Sequence, residues 1–265
     1  MKKISLFLSI FALLNFIGYG FELKPPKIYK IRTFYNYGKI DGFVQIPKGG
    51  KNGTTSVERP TLNELGIDNI GFTELKLQFQ WDKLLTYGEI KYKIFDGDST
   101  LQKDLISHNK FIPVYSKINT EHEYIGYNIG IGYDISKFNK LKFIPIIEFS
   151  MNNFKYKYSA TTPKNQNLSS KRSFGWGQLN VGFNSSYEFT DKYSLELNTR
   201  YGIKHDSIRK YYDIELINNY EIYKNLHLLM GVEYENLKYR DTQSEKQNFM
   251  KHKNLLYKIG LEYIF

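Results

Sequence analysis

The sequence contains no cysteine, which excludes a disulfide scaffold, a thiolate metal site, a cysteine nucleophile and a lipid-modified cysteine behind an export signal. Proline is sparse, at 7 in 265 residues. Beyond the first twenty positions no apolar run approaches the roughly 20 residues of a helical membrane span, and a mean hydropathy of −0.48 is too polar for a helical membrane protein. Aromatic residues are abundant instead: 23 Tyr and 19 Phe bring the aromatic share to 17%. A chain so rich in aromatic and β-branched residues is not intrinsically disordered. Its length suits one large domain or two small ones.

Lys2 and Lys3 precede an apolar run from Ile4 to Ile17, and Gly18-Tyr19-Gly20 offers small residues at the −3 and −1 positions before Phe21. Residues 1–20 are therefore expected to be a secretory signal peptide cleaved near Gly20, leaving residues 21–265 as one domain. Without Lys2 and Lys3 the 37 basic residues become 35, against 27 acidic ones. Export and the scattering of the lysines argue against nucleic acid as the partner of this surplus. A polyanion of the cell envelope, such as lipopolysaccharide phosphate, suits it better.

The exported chain alternates with period two. Leu255, Tyr257, Ile259, Leu261, Tyr263 and Phe265 share one face of a strand, with Lys258, Gly260 and Glu262 on the other. Ile125, Tyr127, Ile129, Ile131 and Tyr133 oppose Gly126, Asn128, Gly130 and Gly132, and the pattern recurs between Leu179 and Tyr234. A soluble sandwich also alternates, so other features must choose. Short turns at 190–192 and 224–225 alternate with longer polar stretches at 160–172 and 241–253, as in outer-membrane barrels. Tyr156, Tyr158, Phe189, Tyr211, Tyr212, Tyr223 and Tyr239 stand near strand ends, where an interfacial girdle is expected.

Ile259, Leu261, Tyr263 and the final Phe265 resemble the terminal strand of Gram-negative outer-membrane β-barrel proteins. The resemblance implies that these residues act as an assembly signal read by the barrel-assembly machinery. It also implies an all-β, antiparallel, monomeric transmembrane barrel in contact with outer-membrane lipids and lipopolysaccharide. Eleven segments read as strands, and a single-chain barrel of this kind needs an even number. Splitting residues 28–46 at Tyr37-Gly38 gives 12 strands, the favoured count. Demoting the segment that contains Pro113 gives 10.

On this reading Lys142, Glu148, Glu188, Glu196, Arg200, Lys204, Glu215, Glu221, Glu233, Lys258 and Glu262 face the lumen. They either pair across it and plug it, or line a gap that selects solutes. The Gly49-rich stretch leads to Thr61, an N-cap, with Glu64 at the capping-box position and Gly66 to end a helical turn; this unit reads as a plain structured loop or, as the main alternative, a plug or gate folded into the mouth.

Chemistry is thinly represented. His205 and Ser207, two apart on a strand, share a face as a base and nucleophile must. They resemble the His-x-Ser pair of outer-membrane lipid hydrolases, but Ile208 and Arg209 follow where those families carry Asn. His122 between Glu121 and Glu123 reads as a solvated loop cluster. No metal or cofactor is expected. The function expected from sequence is a porin-like channel or transporter for small polar solutes, with a lipid hydrolase or a structural, adhesive surface scaffold as alternatives.

Overall fold

The computed structural model describes residues 25–45, 60–107, 110–204, 208–240 and 248–265. The expected signal peptide, the Gly49-rich stretch and the His205–Ser207 pair lie outside these residues. In chain order the strands are β1 (Ile28–Gln45), β2 (Asn69–Trp81), β3 (Leu84–Thr100), β4 (Leu105–Ser107), β5 (Lys110–Ile112), β6 (Lys117–Tyr133), β7 (Leu141–Thr161), β8 (Asn167–Thr190), β9 (Tyr193–Gly202), β10 (Ile208–Tyr223), β11 (Leu226–Arg240) and β12 (Phe249–Ile264), with a single helical turn at Asn63–Leu65. Ten of them close an antiparallel barrel in the order β1-β12-β11-β10-β9-β8-β7-β6-β3-β2, and β4 with β5 forms a separate hairpin.

The wall therefore holds 10 strands, the second of the two expected counts, and not 12. β1 passes straight through Tyr37-Gly38, because Gly38 is an inward position pressed on the neighbouring strand: a Cβ there would lie 2.0 Å from the Leu255 carbonyl oxygen. The Pro113 segment contributes only the three-residue β5, outside the wall.

The connections define two ends. Two-residue turns at 82–83, 191–192 and 224–225 share one end with Ile28 and Ile264. The seven-residue connection 134–140 lies at this end too, and the other end carries the longest connections, 46–68 and 101–116. The expected loop at 160–172 is mostly strand, however: β7 and β8 run on to a tight turn at 162–166, where Thr162 N–H donates to the Gln166 carbonyl at 2.9 Å and Asn165 takes the left-handed conformation at φ 59°. Alternation sustains the strands there, with Ser169, Lys171 and Ser173 exposed and Leu168, Phe174 and Trp176 turned inward.

Along the longer wall strands the chemistry of the two faces reverses. In the half nearer the turns the outward residues are mostly apolar, at 29–37 on β1, 84–94 on β3, 125–133 on β6, 141–151 on β7 and 255–263 on β12. These segments match the 9–11 residues a tilted strand needs to cross hydrocarbon, and they are the membrane-spanning segments. In the half nearer the loops the outward positions turn polar, as with Lys39 and Asp41, Asp96 and Asp98, Glu121 and Glu123, Lys155 and Lys157, and Lys251 and Lys253. The inward positions there become apolar and form the largest core cluster, which contains Phe95, Phe154, Tyr156, Tyr158, Trp176, Leu237 and Tyr239. A wall segment surrounded by water needs an apolar inside, whereas one surrounded by lipid can have a polar one. Tyr156, Tyr158 and Tyr239 accordingly belong to this inner core and not to an interfacial girdle.

Candidate functional site

At the level of the apolar belt the lumen is filled by charged side chains. Six basic and nine acidic residues are buried, a mixture that no single-sign ring could be made from. Their partners come from far round the wall. Arg32 on β1 binds Glu196 on β9 through both terminal nitrogens, at 2.7 and 2.8 Å, and its Nε pairs with Glu262. Arg200 on β9 reaches Glu89 on β3 at 3.0 Å and lies 3.0 Å from Glu148. Lys91 on β3 meets Glu233 on β11 at 3.0 Å, and Lys93 meets Glu235 at 3.0 Å. Lys258 sits between Glu233 at 2.7 Å and Glu74 at 3.0 Å and also contacts Glu215. The pairings Arg32–Glu196, Arg200–Glu89, Lys91–Glu233 and Lys93–Glu235 each join strands four places apart in a ten-strand ring, so the bonds cross the interior. Amides occupy remaining carboxylate lone pairs: Asn180 donates to Glu148 at 2.8 Å, Asn198 to Glu215 at 2.8 Å and Asn128 to Glu89 at 2.8 Å.

Of the residues expected in the lumen, Glu148, Glu196, Arg200, Glu215, Glu233, Lys258 and Glu262 stand in this lattice. Glu188 pairs with Lys142 at 3.3 Å near the turns, and both side chains are 44% exposed. Lys204 lies exposed beyond the end of β9 and joins none of these pairs among the described residues. Arg32, Glu74, Lys76, Glu89, Lys91, Lys93 and Glu235 were not singled out from sequence. The signal was available, since Glu74 and Lys76, and then Glu89, Lys91 and Lys93, occupy alternate positions of amphipathic strands. Asp213, Glu233 and Glu235 bring carboxylate oxygens within 4.8 Å of one another, but Lys91 stands 3.5 Å from Asp213 and the two glutamates already hold lysines. A cation there would face several ammonium groups.

The turn end of the lumen is open as a cavity of about 270 Å³, whose lining includes Lys30, Lys76, Gln78, Asn184, Glu188 and His227. The His227 Nδ1 lies 2.8 Å from the Asn219 side-chain oxygen.

The loop end is closed by chain segments folded inward. Thr61 and Glu64 form the expected capping box: the Thr61 N–H donates to the Glu64 carboxylate at 2.8 Å, and the Glu64 N–H donates to the Thr61 hydroxyl at 3.1 Å. Gly66 ends the turn at φ 82°. Leu62, Leu65 and Ile67, each at most 1% exposed, pack in the mouth with Leu101, Leu105 and Ile112 from around the β4–β5 hairpin. The seat is Gly97 on β3, where a Cβ would come within 2.4 Å of the Leu65 carbonyl oxygen. Ser99 donates to the Glu64 carbonyl at 2.7 Å, and Lys103 binds the Glu64 carboxylate at 2.8 Å.

Beneath this plug, His122 lies on β6 with its ring turned inward and wholly buried, while Glu121 and Glu123 face out. The expectation of a solvated loop cluster is therefore replaced by a ring cluster. Phe95 is 4.8 Å from His122 and 5.8 Å from His252 between ring centroids, and Phe154 is 5.6 and 5.8 Å from the same two rings. Among the described residues both His122 ring nitrogens and His252 Nε2 lack hydrogen-bond partners.

On the outside of the last strand Ile259, Leu261 and Tyr263 are exposed, opposite Tyr35, Thr33 and Ile31 of β1. Phe265 is exposed, and its N–H donates to the Tyr29 carbonyl at 2.9 Å.

No protein-family model and no curated protein matches the chain. The solved structures to which it is similar are Gram-negative outer-membrane β-barrel proteins. The outer membrane protease OmpT from Escherichia coli is 10% identical, with a TM-score of 0.51 over 92% of this chain and 99% of that one. The outer membrane protein OprG from Pseudomonas aeruginosa is 11% identical, with a TM-score of 0.43 over 91% and 97%. Ail, the attachment invasion locus protein of Yersinia pestis, is 10% identical, with a TM-score of 0.33 over 88% and 98%. At these identities the likeness is one of fold, and only the first supports even that closely.

Proposed function

We propose that the protein is a closed outer-membrane barrel serving as a surface scaffold, not a standing pore. One observation carries this reading: the lumen is crossed at belt level by ion pairs such as Arg32–Glu196 and Arg200–Glu89 and is capped above them by an apolar plug. A permeating ion would have to part these pairs and then enter a mainly apolar region that offers few groups to replace its hydration. Residues 1–20 supply export, the turn end faces the periplasm, and the polar half of the wall stands outside the membrane as the surface offered to partners.

Planar-bilayer recording of the refolded protein tests the reading. A closed scaffold gives no stepwise conductance. A steady conductance that falls on Glu233→Gln or Arg200→Gln would return the porin-like channel to first place. The 270 Å³ cavity favours a second reading, a conduit for small polar solutes that conducts only once the plug leaves. The lipid-hydrolase alternative through His205 and Ser207 would be established only by deacylation that Ser207→Ala abolishes.

A further inference from the structure

Just beyond the apolar belt, three lysines stand side by side on the outer wall. Lys210 on β10 is the register partner of Lys238 on β11, and Lys238 is the register partner of Lys251 on β12. Lys210 and Lys238 are exposed and Lys251 is half-buried, all on the outward face. Neighbouring strands lie about 4.8 Å apart, so the row spans only about 10 Å. Like charges placed directly opposite one another destabilise a sheet.

The other side of the barrel shows how this wall normally deals with a lysine. Lys155 and Lys157 on β7 face Glu123 and Glu121 on β6 and bind them at 2.7 and 3.0 Å. Across β10 to β12 the described residues put no carboxylate within 4.0 Å of any of the three lysines; the nearest acid in register, Asp41, lies opposite Lys253. Aromatic rings steady the row instead, with the Lys210 ammonium 4.9 Å from the Tyr212 ring centroid and that of Lys238 5.5 Å from Phe249. Toward the turns the next outward row is Tyr212, Asn236 and Lys253, and the belt begins in the row after it, with Ile214, Tyr234 and Leu255.

We propose that Lys210, Lys238 and Lys251 bind the phosphate of a phosphorylated lipid in the outer leaflet. The anion relieves a repulsion that the described residues leave uncompensated, and the acyl chains lie on the belt below, past Tyr212 and Lys253. A lipid headgroup is favoured over free phosphate because only the one row that contains Lys253 separates these lysines from the belt. The proposal rests on the membrane-spanning reading and is independent of whether the lumen is closed.

The test is a native mass-spectrometry titration of the detergent-refolded protein with diphosphorylated lipid A. The triple variant K210Q/K238Q/K251Q is expected to bind at least about tenfold more weakly, since each lysine near an anionic surface adds to the attraction. The control K155Q/K157Q is expected to stay within about twofold of wild type. The triple variant loses the repulsion along with the two exposed ring contacts, and an unchanged heat-induced gel shift will verify its fold. Unaltered lipid A binding in the triple variant overturns the site. Equal binding of phosphatidylethanolamine, or full competition by inorganic phosphate, overturns the lipid assignment. A chain that stays compact and dispersed without detergent defeats the membrane reading itself, an outcome separate from these.

Discussion

Lys91 on β3 and Glu233 on β11 meet 3.0 Å apart, although the wall between them runs through β2, β1 and β12. The pair is a brace across the barrel. Glu233 also accepts from Lys258 at 2.7 Å, so Glu233→Gln leaves two buried ammonium groups short of an anion. Removing one partner of a buried pair costs about 3–5 kcal/mol, because the remaining charge keeps its desolvation penalty. The urea midpoint of the folded barrel in detergent should fall accordingly, while Lys155→Gln on the exposed wall should shift it little. An unchanged midpoint in Glu233→Gln would mean that the interior is wetter than the packing implies.

Gly97 holds the plug in place by having no side chain. A Cβ there would lie 2.4 Å from the Leu65 carbonyl oxygen and 2.6 Å from Ile67 Cγ1, and neither the helical turn nor the strand can retreat without losing its contacts. Gly97→Val is expected to dislodge the turn while the braced lumen keeps the barrel closed. A cysteine at Leu65, 0% exposed in the native fold, should then react readily with a bulky maleimide, and should be protected when Gly97 is present. Equal protection in both backgrounds would sink this account of the seat.

How far the sequence reveals this molecule depends on which half of the wall is read. Residues 125–133 and 255–263 were legible because a belt facing lipid beside a charged lumen gives strong alternation. Thr61, Glu64 and Gly66 were legible because capping is local and uses few residue types. Tyr156, Tyr158 and Tyr239 were misplaced because beyond the belt the inner face becomes the apolar one, and period two cannot say which side is inside. The pairing of Arg32 with Glu196, 164 residues apart, follows from closure and register together, which no local pattern encodes.

The capping box makes a local prediction. Thr61→Ala removes the hydroxyl that accepts from the Glu64 N–H at 3.1 Å, and losses of this kind cost about 0.5–2 kcal/mol. The effect should be confined to the plug: amide exchange at Leu65 and Gly66 should speed up several-fold while the spanning segments are unaffected. Burial alone would raise the Glu64 carboxyl, but the Lys103 ammonium and the Thr61 backbone bind it and hold it below its ordinary value. A depressed carboxylate contributes stability above its unfolded pKa and loses it as the pH falls through the folded one. The plug should therefore loosen in acid below about 4.5, and Lys103→Gln should weaken that dependence.

A larger acid response should come from His122 and His252, which lie beyond the spanning segments. Burial among Phe95, Phe154 and Tyr156, with His252 close by, keeps the His122 imidazole well below its ordinary value. Burial and then Lys93 push His252 down to about 3. No carboxylate from the facing strands enters this ring cluster among the described residues; Glu121 and Glu123 point outward, and Glu235 is held by Lys93. The folded protein thus keeps both rings neutral while the unfolded chain takes up protons from about pH 6.5 downward. Stability due to the neutral rings is fully present above that pH and declines as the pH falls toward about 3 for His252. Each histidine contributes a slope of about 1.4 kcal/mol per pH unit within this window. Unfolding midpoints between pH 7.5 and 5, a range above most carboxylate titration, should therefore drop in the wild type. The drop should be much shallower in the double variant His122→Phe, His252→Leu, which replaces unpartnered ring nitrogens by apolar groups of the same surroundings. A wild-type midpoint that stays level across that range, or an equal slope in both proteins, would show that water or an unseen partner reaches these rings.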